Sequence, residues 1–167
     1  MPAVAAVAHY EEMQRLQAAA VLLSRRVWRR VSLADLSGSW ELGLRGLVPA
    51  ITALQVEAAT AGASYGAAVL AEQGTWVAPF VDPNAFGGFA SDGRSLEGLL
   101  YSPVTGVKSA IGAGVGGQVA LASGQALLDR AVQTLIADTG RQAAGVDVAS
   151  RRGVGYVRML NPPSCSR

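Results

Sequence analysis

The sequence predicts a mainly α-helical chain. Long Ala- and Gly-rich helices form a hairpin or bundle, joined by a long aromatic loop and followed by a short extended C-terminal segment. Three observations carry this expectation. Apolar residues recur at alternating steps of three and four over most of the chain, the period of one helix face. Pro, Gly and all three Phe concentrate in one stretch, residues 74–103. The last residues, from about 151, switch to a shorter apolar period and end in a Pro pair.

The first helix is expected over 4–31. Met13, Leu16, Ala20, Leu23 and Val27 keep one stripe on one face. After Pro2 neither Gly nor Pro interrupts it. Ser32 is a candidate cap for the next element. That element is a second helix over 39–73. Its stripe is Trp40, Leu44, Leu47, Ile51, Leu54, Ala58, Ala61, Tyr65 and Ala68. Pro49 either kinks it or starts a new helix. Beyond Leu54 the stripe turns to Ala, which lets a neighbouring backbone come close. Residues 1–73 therefore read as a helical hairpin.

Residues 74–103 read as a loop with at most one short helix, near Ser95–Tyr101. Pro79, Pro83, Gly87 and Gly88 punctuate it. Trp76, Phe80, Phe86 and Phe89 are candidate aromatic anchors for a protein interface. Loops of this length are uncommon in compact domains unless functional; an interaction arm is the functional reading, and an ordinary loop folded over its own helices is the plainer alternative. A C-terminal helical region then spans 104–150, with Val107, Ile111, Val115, Leu121, Leu128, Val132, Leu135 and Val146 as its stripe and Gly140 and Gly145 as candidate breaks. Residues 109–128 hold no charge, the length of a membrane span, but they include two Gln and five Gly. A buried small-residue helix is the expectation there, not a span. Residues 151–167 form the tail; Val154, Tyr156, Val157 and Met159 suit a short strand, which Asn161, Pro162 and Pro163 end.

Composition bounds the function. Charged residues make up 16% of the 167 positions, against about 25% in an ordinary soluble domain, so surfaces covered by partners are expected. The net charge of +2 does not suit a polyelectrolyte binder as a whole. A lone Cys165 excludes an internal disulfide, and a lone His9 excludes a two-histidine site in this chain. Local charge says more. Arg25, Arg26, Arg29 and Arg30 form a basic cluster whose i, i+4 spacing sets two pairs on one side of a helix, a candidate contact for phosphates or an acidic partner. Solvated cations at a helix C-terminus are the plainer alternative. Arg151, Arg152 and Arg158 form a looser patch.

Two familiar spacings do not point to chemistry. Gly112, Gly114 and Gly117 spell GxGxxG without the strand that a dinucleotide site needs before it. Gly62, Ser64 and Gly66 spell GxSxG inside a helical stripe, and the only His precedes the Ser, against hydrolase order. Nothing in the spacing of His9 and Cys165 supports a nucleophile pair. The catalytic residues, if any, are not identified by the sequence.

The C-terminal stretch GYVRMLNPPSCSR, Gly155 to Arg167, resembles a segment of the MuF-like minor capsid proteins of tailed phages that infect actinobacteria, often labelled capsid maturation proteases. The preceding IADTGRQAAGVDVASRR, Ile136 to Arg152, looks like the same family, as does the layout of Ala-rich helices before it. The resemblance implies a structural, multi-copy component of the virion, assembled in the host cytoplasm and held inside the capsid near the portal or the inner wall. Its implied partners are the portal protein, the major capsid protein and packaged DNA. It also implies an alternative, a maturation protease acting on capsid or scaffold, although the residues in this chain favour the structural role. A further alternative is an internal virion protein, delivered with DNA, that meets a membrane through 109–128. In the family the motif continues as NPPSCSRC into a His and Cys cluster of the kind that binds zinc. Here the sequence stops before the second Cys, so the chain is expected to be the N-terminal part of a longer product or to have lost a C-terminal region. Cys165 alone cannot hold zinc, and a cofactor is expected only with that continuation.

Overall fold

The computed structural model describes residues 4–75, 78–79 and 81–151. Among them are four α-helices: α1 (Val4–Trp28), α2 (Leu36–Glu72), α3 (Leu96–Gly112) and α4 (Gly117–Ser150), with a 3-10 turn at Pro83–Phe86. The fold is mainly α, a bundle of long helices.

The helices pack as a bundle. α1 and α2 form an antiparallel hairpin: the Glu72 carboxylate accepts from the Ala5 N–H at 2.6 Å at one end, and Val27 packs on Gly43 at the other. An acidic side chain from α2 thus satisfies a free donor in the first turn of α1, where the helix dipole favours it. α4 runs parallel to α2 and antiparallel to α1 and α3. The backbones of α2 and α4 come close at Gly62, where an added Cβ would lie 2.1 Å from the Gly140 carbonyl oxygen. Only glycine lets two backbones meet this closely. α1 covers one flank of this seam. The other flank is covered by α3 at one end and by loop residues 83–91 at the other.

One hydrophobic core draws on all four helices. Leu16, Trp40, Ile51, Leu100, Val104, Leu128, Val132 and Ile136 are fully buried in it, each contributing about 1.5–3 kcal/mol by leaving water. Two indoles fix the end where the helices turn. Trp28 and Trp40 meet edge to face at 5.1 Å. The Trp28 indole N–H donates to the Leu121 carbonyl at 3.1 Å, and that of Trp40 to the Leu100 carbonyl at 3.0 Å. Both polar edges are thereby satisfied inside the core.

Several boundaries differ from expectation. α1 ends at Trp28 rather than 31, and its buried face drifts from Met13, Leu16 and Ala20 to Val21, Ser24 and Trp28, leaving Leu23 and Val27 at the margin. A straight helix of 3.6 residues per turn departs in this way from a strict heptad stripe. The cap of α2 is Asp35, whose carboxylate accepts from the Gly38 N–H at 2.9 Å, and not Ser32. Pro49 lies inside a continuous α2 and starts no new helix.

The largest difference is around Pro103. The aromatic loop ends at Ser95, which caps α3 through its Oγ, so the expected boundary at 103/104 falls inside a helix. Pro103 removes one helical donor, and the Ser102 hydroxyl takes up the Leu99 carbonyl at 2.7 Å. The expected single region 104–150 is two helices. They part at Ala113–Gly116, where Gly114 takes φ +89°. This break also divides the uncharged stretch 109–128, and no described helix is long and apolar enough to cross a membrane. Gly140 and Gly145 do not break α4. The expected strand at 154–159 lies outside the described residues.

Candidate functional site

The basic cluster sits where α1 ends, and the structure divides it. Arg25 is committed within the molecule. Its Nε and Nη2 both donate to Asp129 Oδ2 of α4, at 2.9 and 2.8 Å. This pairing holds the guanidinium of Arg25 above its usual range, chiefly through the hydrogen bond to Asp129 and also through its charge. Arg26, Arg29 and Arg30 are exposed. Arg29 and Arg30 stand in the turn after Trp28, not on the helix face that the i, i+4 spacing suggested.

This end of the bundle also gathers exposed aliphatic residues. Leu33 lies in the connection from α1 to α2. It packs over Gly117, where an added Cβ would come within 2.9 Å of its side chain. Beside it are Ile111, Val115 and Val119 around the α3–α4 turn. Relative exposures are 39% for Leu33, 38% for Ile111, 39% for Val115 and 63% for Val119. Ile111 and Val115 were expected in a buried stripe. The chain break at Ala113–Gly116 turns them outward instead. The cations in this half, Arg25, Arg26, Arg29, Arg30, Arg45, Lys108 and Arg130, outnumber the acids Asp35, Glu41, Glu97 and Asp129.

Two members of the aromatic set are among the described residues. Phe86 closes the 3-10 turn and is half-buried, and Phe89 is 61% exposed. Trp76 and Phe80 lie outside the described residues. What holds this loop is a buried amide that sequence reasoning missed. Gln55 of α2 is fully buried. Its Nε2 donates to the Phe89 carbonyl at 2.8 Å, and its Oε1 accepts from the Gly88 N–H at 3.0 Å. Gln55 thus pairs with the loop backbone as a neighbouring strand would. The Ser91 hydroxyl adds a bond to Asp138 at 3.1 Å.

Arg151 also departs from expectation. It is not part of a surface patch but is buried in an ion pair with Asp147. Its Nε donates to Oδ2 at 2.8 Å and its Nη2 to Oδ1 at 3.1 Å. The same Nη2 reaches the Ala78 carbonyl at 3.1 Å, which fastens the start of the loop. Gly66 makes room for this carboxylate, since a Cβ there would lie 3.0 Å from Asp147 Oδ2. Arg152, Arg158 and Cys165 lie outside the described residues.

The remaining motifs serve packing. Gly62 is the close contact on Gly140, and Ser64 is exposed on helical backbone. Gly112, Gly114 and Gly117 span a helix-to-helix turn. His9 is half-buried and stacked on Tyr65 at 4.7 Å. An open groove of about 500 Å³ lies between α2 and α3, with Glu41, Arg45, Pro49, Glu97 and Tyr101 on its walls. Among the described residues no group of three or more His, Cys, Asp or Glu side chains is placed to hold a metal ion.

Compared with protein-family models, with curated proteins and with solved structures, the chain matches none.

Proposed function

We propose that the chain is a structural component of a tailed-phage head, a MuF-like minor capsid protein held inside the capsid near the portal or the inner wall. The observation that carries this reading is the stretch from Gly155 to Arg167, with the similar run from Ile136 to Arg152 before it. The fold supports it in one respect. The chain spends its buried polar groups on holding itself together: Gln55 and the Asp147–Arg151 pair tie loop to bundle. Exposed apolar residues occur along the whole bundle, among them Val4, Leu22, Leu42, Leu127 and Val146, and are open to partners. Partners in this reading are the portal, the major capsid protein and DNA.

The test is mass spectrometry of purified, DNA-filled particles of the phage that encodes the chain, wild type beside Ser64→Ala and Cys165→Ala. The structural reading expects the protein in the heads, with capsid and scaffold trimmed normally in both variants. Its absence from the particles overturns the reading. Loss of trimming in particles that still assemble replaces it with the protease alternative.

A further inference from the structure

We infer that the end of the bundle formed by the α1–α2 and α3–α4 connections is a docking surface for an anionic lipid bilayer. Six exposed residues belong to this end: Arg29, Arg30 and Leu33 on the α1–α2 connection, and Ile111, Val115 and Val119 around the α3–α4 turn. The two connections touch, since Leu33 packs on Gly117 and Trp28 bonds to Leu121. One turn is therefore cationic and its neighbour aliphatic. No charged side chain occurs between residues 109 and 128, so the aliphatic turn has no charge of its own to keep it in water. The one acid on the α1–α2 connection, Asp35, is engaged as the cap of α2.

The combination selects the occupant. A bilayer of anionic lipid offers phosphate at the level of the arginines and hydrocarbon just beneath. Peripheral binding strengthens with both apolar burial and charge attraction. Duplex DNA would use the arginines and leave four aliphatic side chains against a polar backbone. This contact differs from a membrane span: the bundle stays folded and only its end enters the interface. The inference does not depend on the head-protein reading, because it uses only the chain's own surface.

The test is co-sedimentation of the 167-residue chain with vesicles of pure phosphatidylcholine and with vesicles carrying about a third phosphatidylglycerol. Binding is expected to the anionic vesicles alone and to weaken in high salt. Arg29→Gln with Arg30→Gln is expected to lower partitioning about 25-fold, from about fivefold per arginine near an anionic surface. Val115→Ser with Val119→Ser is expected to lower it about tenfold. Circular dichroism checks that both double variants remain folded, which their exposure predicts. The inference is overturned if the wild type ignores both vesicles, or if the folded valine variant binds as well as wild type. It is also overturned if a short DNA duplex outcompetes the vesicles and is lost with the arginines but not the valines.

Discussion

Glycine has two opposite roles in this chain, and the difference is local geometry. At Gly62 a methyl group would sit 2.1 Å from the Gly140 carbonyl oxygen, so α2 and α4 would have to separate. Gly62→Ala is therefore expected to cost about 3 kcal/mol, the upper range for overpacking. At Gly145 a Cβ would meet nothing within 4 Å. Gly145→Ala is expected to stabilise by about 0.5–1 kcal/mol, because alanine loses less backbone freedom in a helix. Urea denaturation of both variants checks the pair, and equal effects would contradict the seam. His9 offers a second test. Burial against Tyr65 lowers its pKa below 6.5, with a hydrogen bond involving the Ala61 backbone pulling the other way. The folded state thus disfavours the proton relative to the unfolded chain. Its stabilising share is complete above pH 6.5 and is lost as pH falls through the lower folded value. Thermal melts are expected to show Tm falling below pH 6.5, and His9→Phe, which keeps the stack, should flatten that part of the slope.

Among the elements, the loop 75–95 is held differently from the helices. None of its described residues is fully buried, while α3 buries Leu96, Leu100, Pro103, Val104 and Val107. The loop depends on polar ties, and Gln55 provides two of them. Gln55→Leu leaves the Gly88 N–H and the Phe89 carbonyl without these partners, at a cost of about 1–3 kcal/mol per unsatisfied group. Hydrogen exchange is expected to speed up at the amides of 87–90 while the interior of α1 is unchanged. An unaltered loop would mean that the side chains and not the amide hold it. α1 and α2 were legible from their period, whereas the break between α3 and α4 was not. The loop's end was not, because Pro103 reads as a breaker until the Ser102 hydroxyl is seen to take the carbonyl that it frees.

In the whole molecule the two ends of the bundle are built unequally. At the end with the tight connections, four helices enclose Trp28, Trp40, Leu100, Val104 and Leu128. At the other end three helices are closed by the loop and by the Asp147–Arg151 pair. Local opening follows apolar burial. Native-state hydrogen exchange is expected to rank α2 around Leu44–Ile51 and α3 around Leu100–Val104 as slowest, the N-terminal half of α1 and the C-terminal half of α4 next, and 81–95 as fastest. A uniform rate throughout would show that the bundle opens only as one unit.

The helical class, the hairpin of α1 and α2 and most of the core were readable from the order of residues alone. These follow from a repeat that each helix satisfies independently of its neighbours. The order of residues also located the basic cluster. Tertiary structure decided which members of that cluster are free for a partner, because Arg25 meets Asp129 only when α4 folds back across α1. It likewise decided that Arg151 is buried, that Gln55 grips a loop, and that Ile111 and Val115 face outward at a chain reversal. Each of these depends on contacts between residues far apart in the chain, and periodicity along one helix carries no information about them.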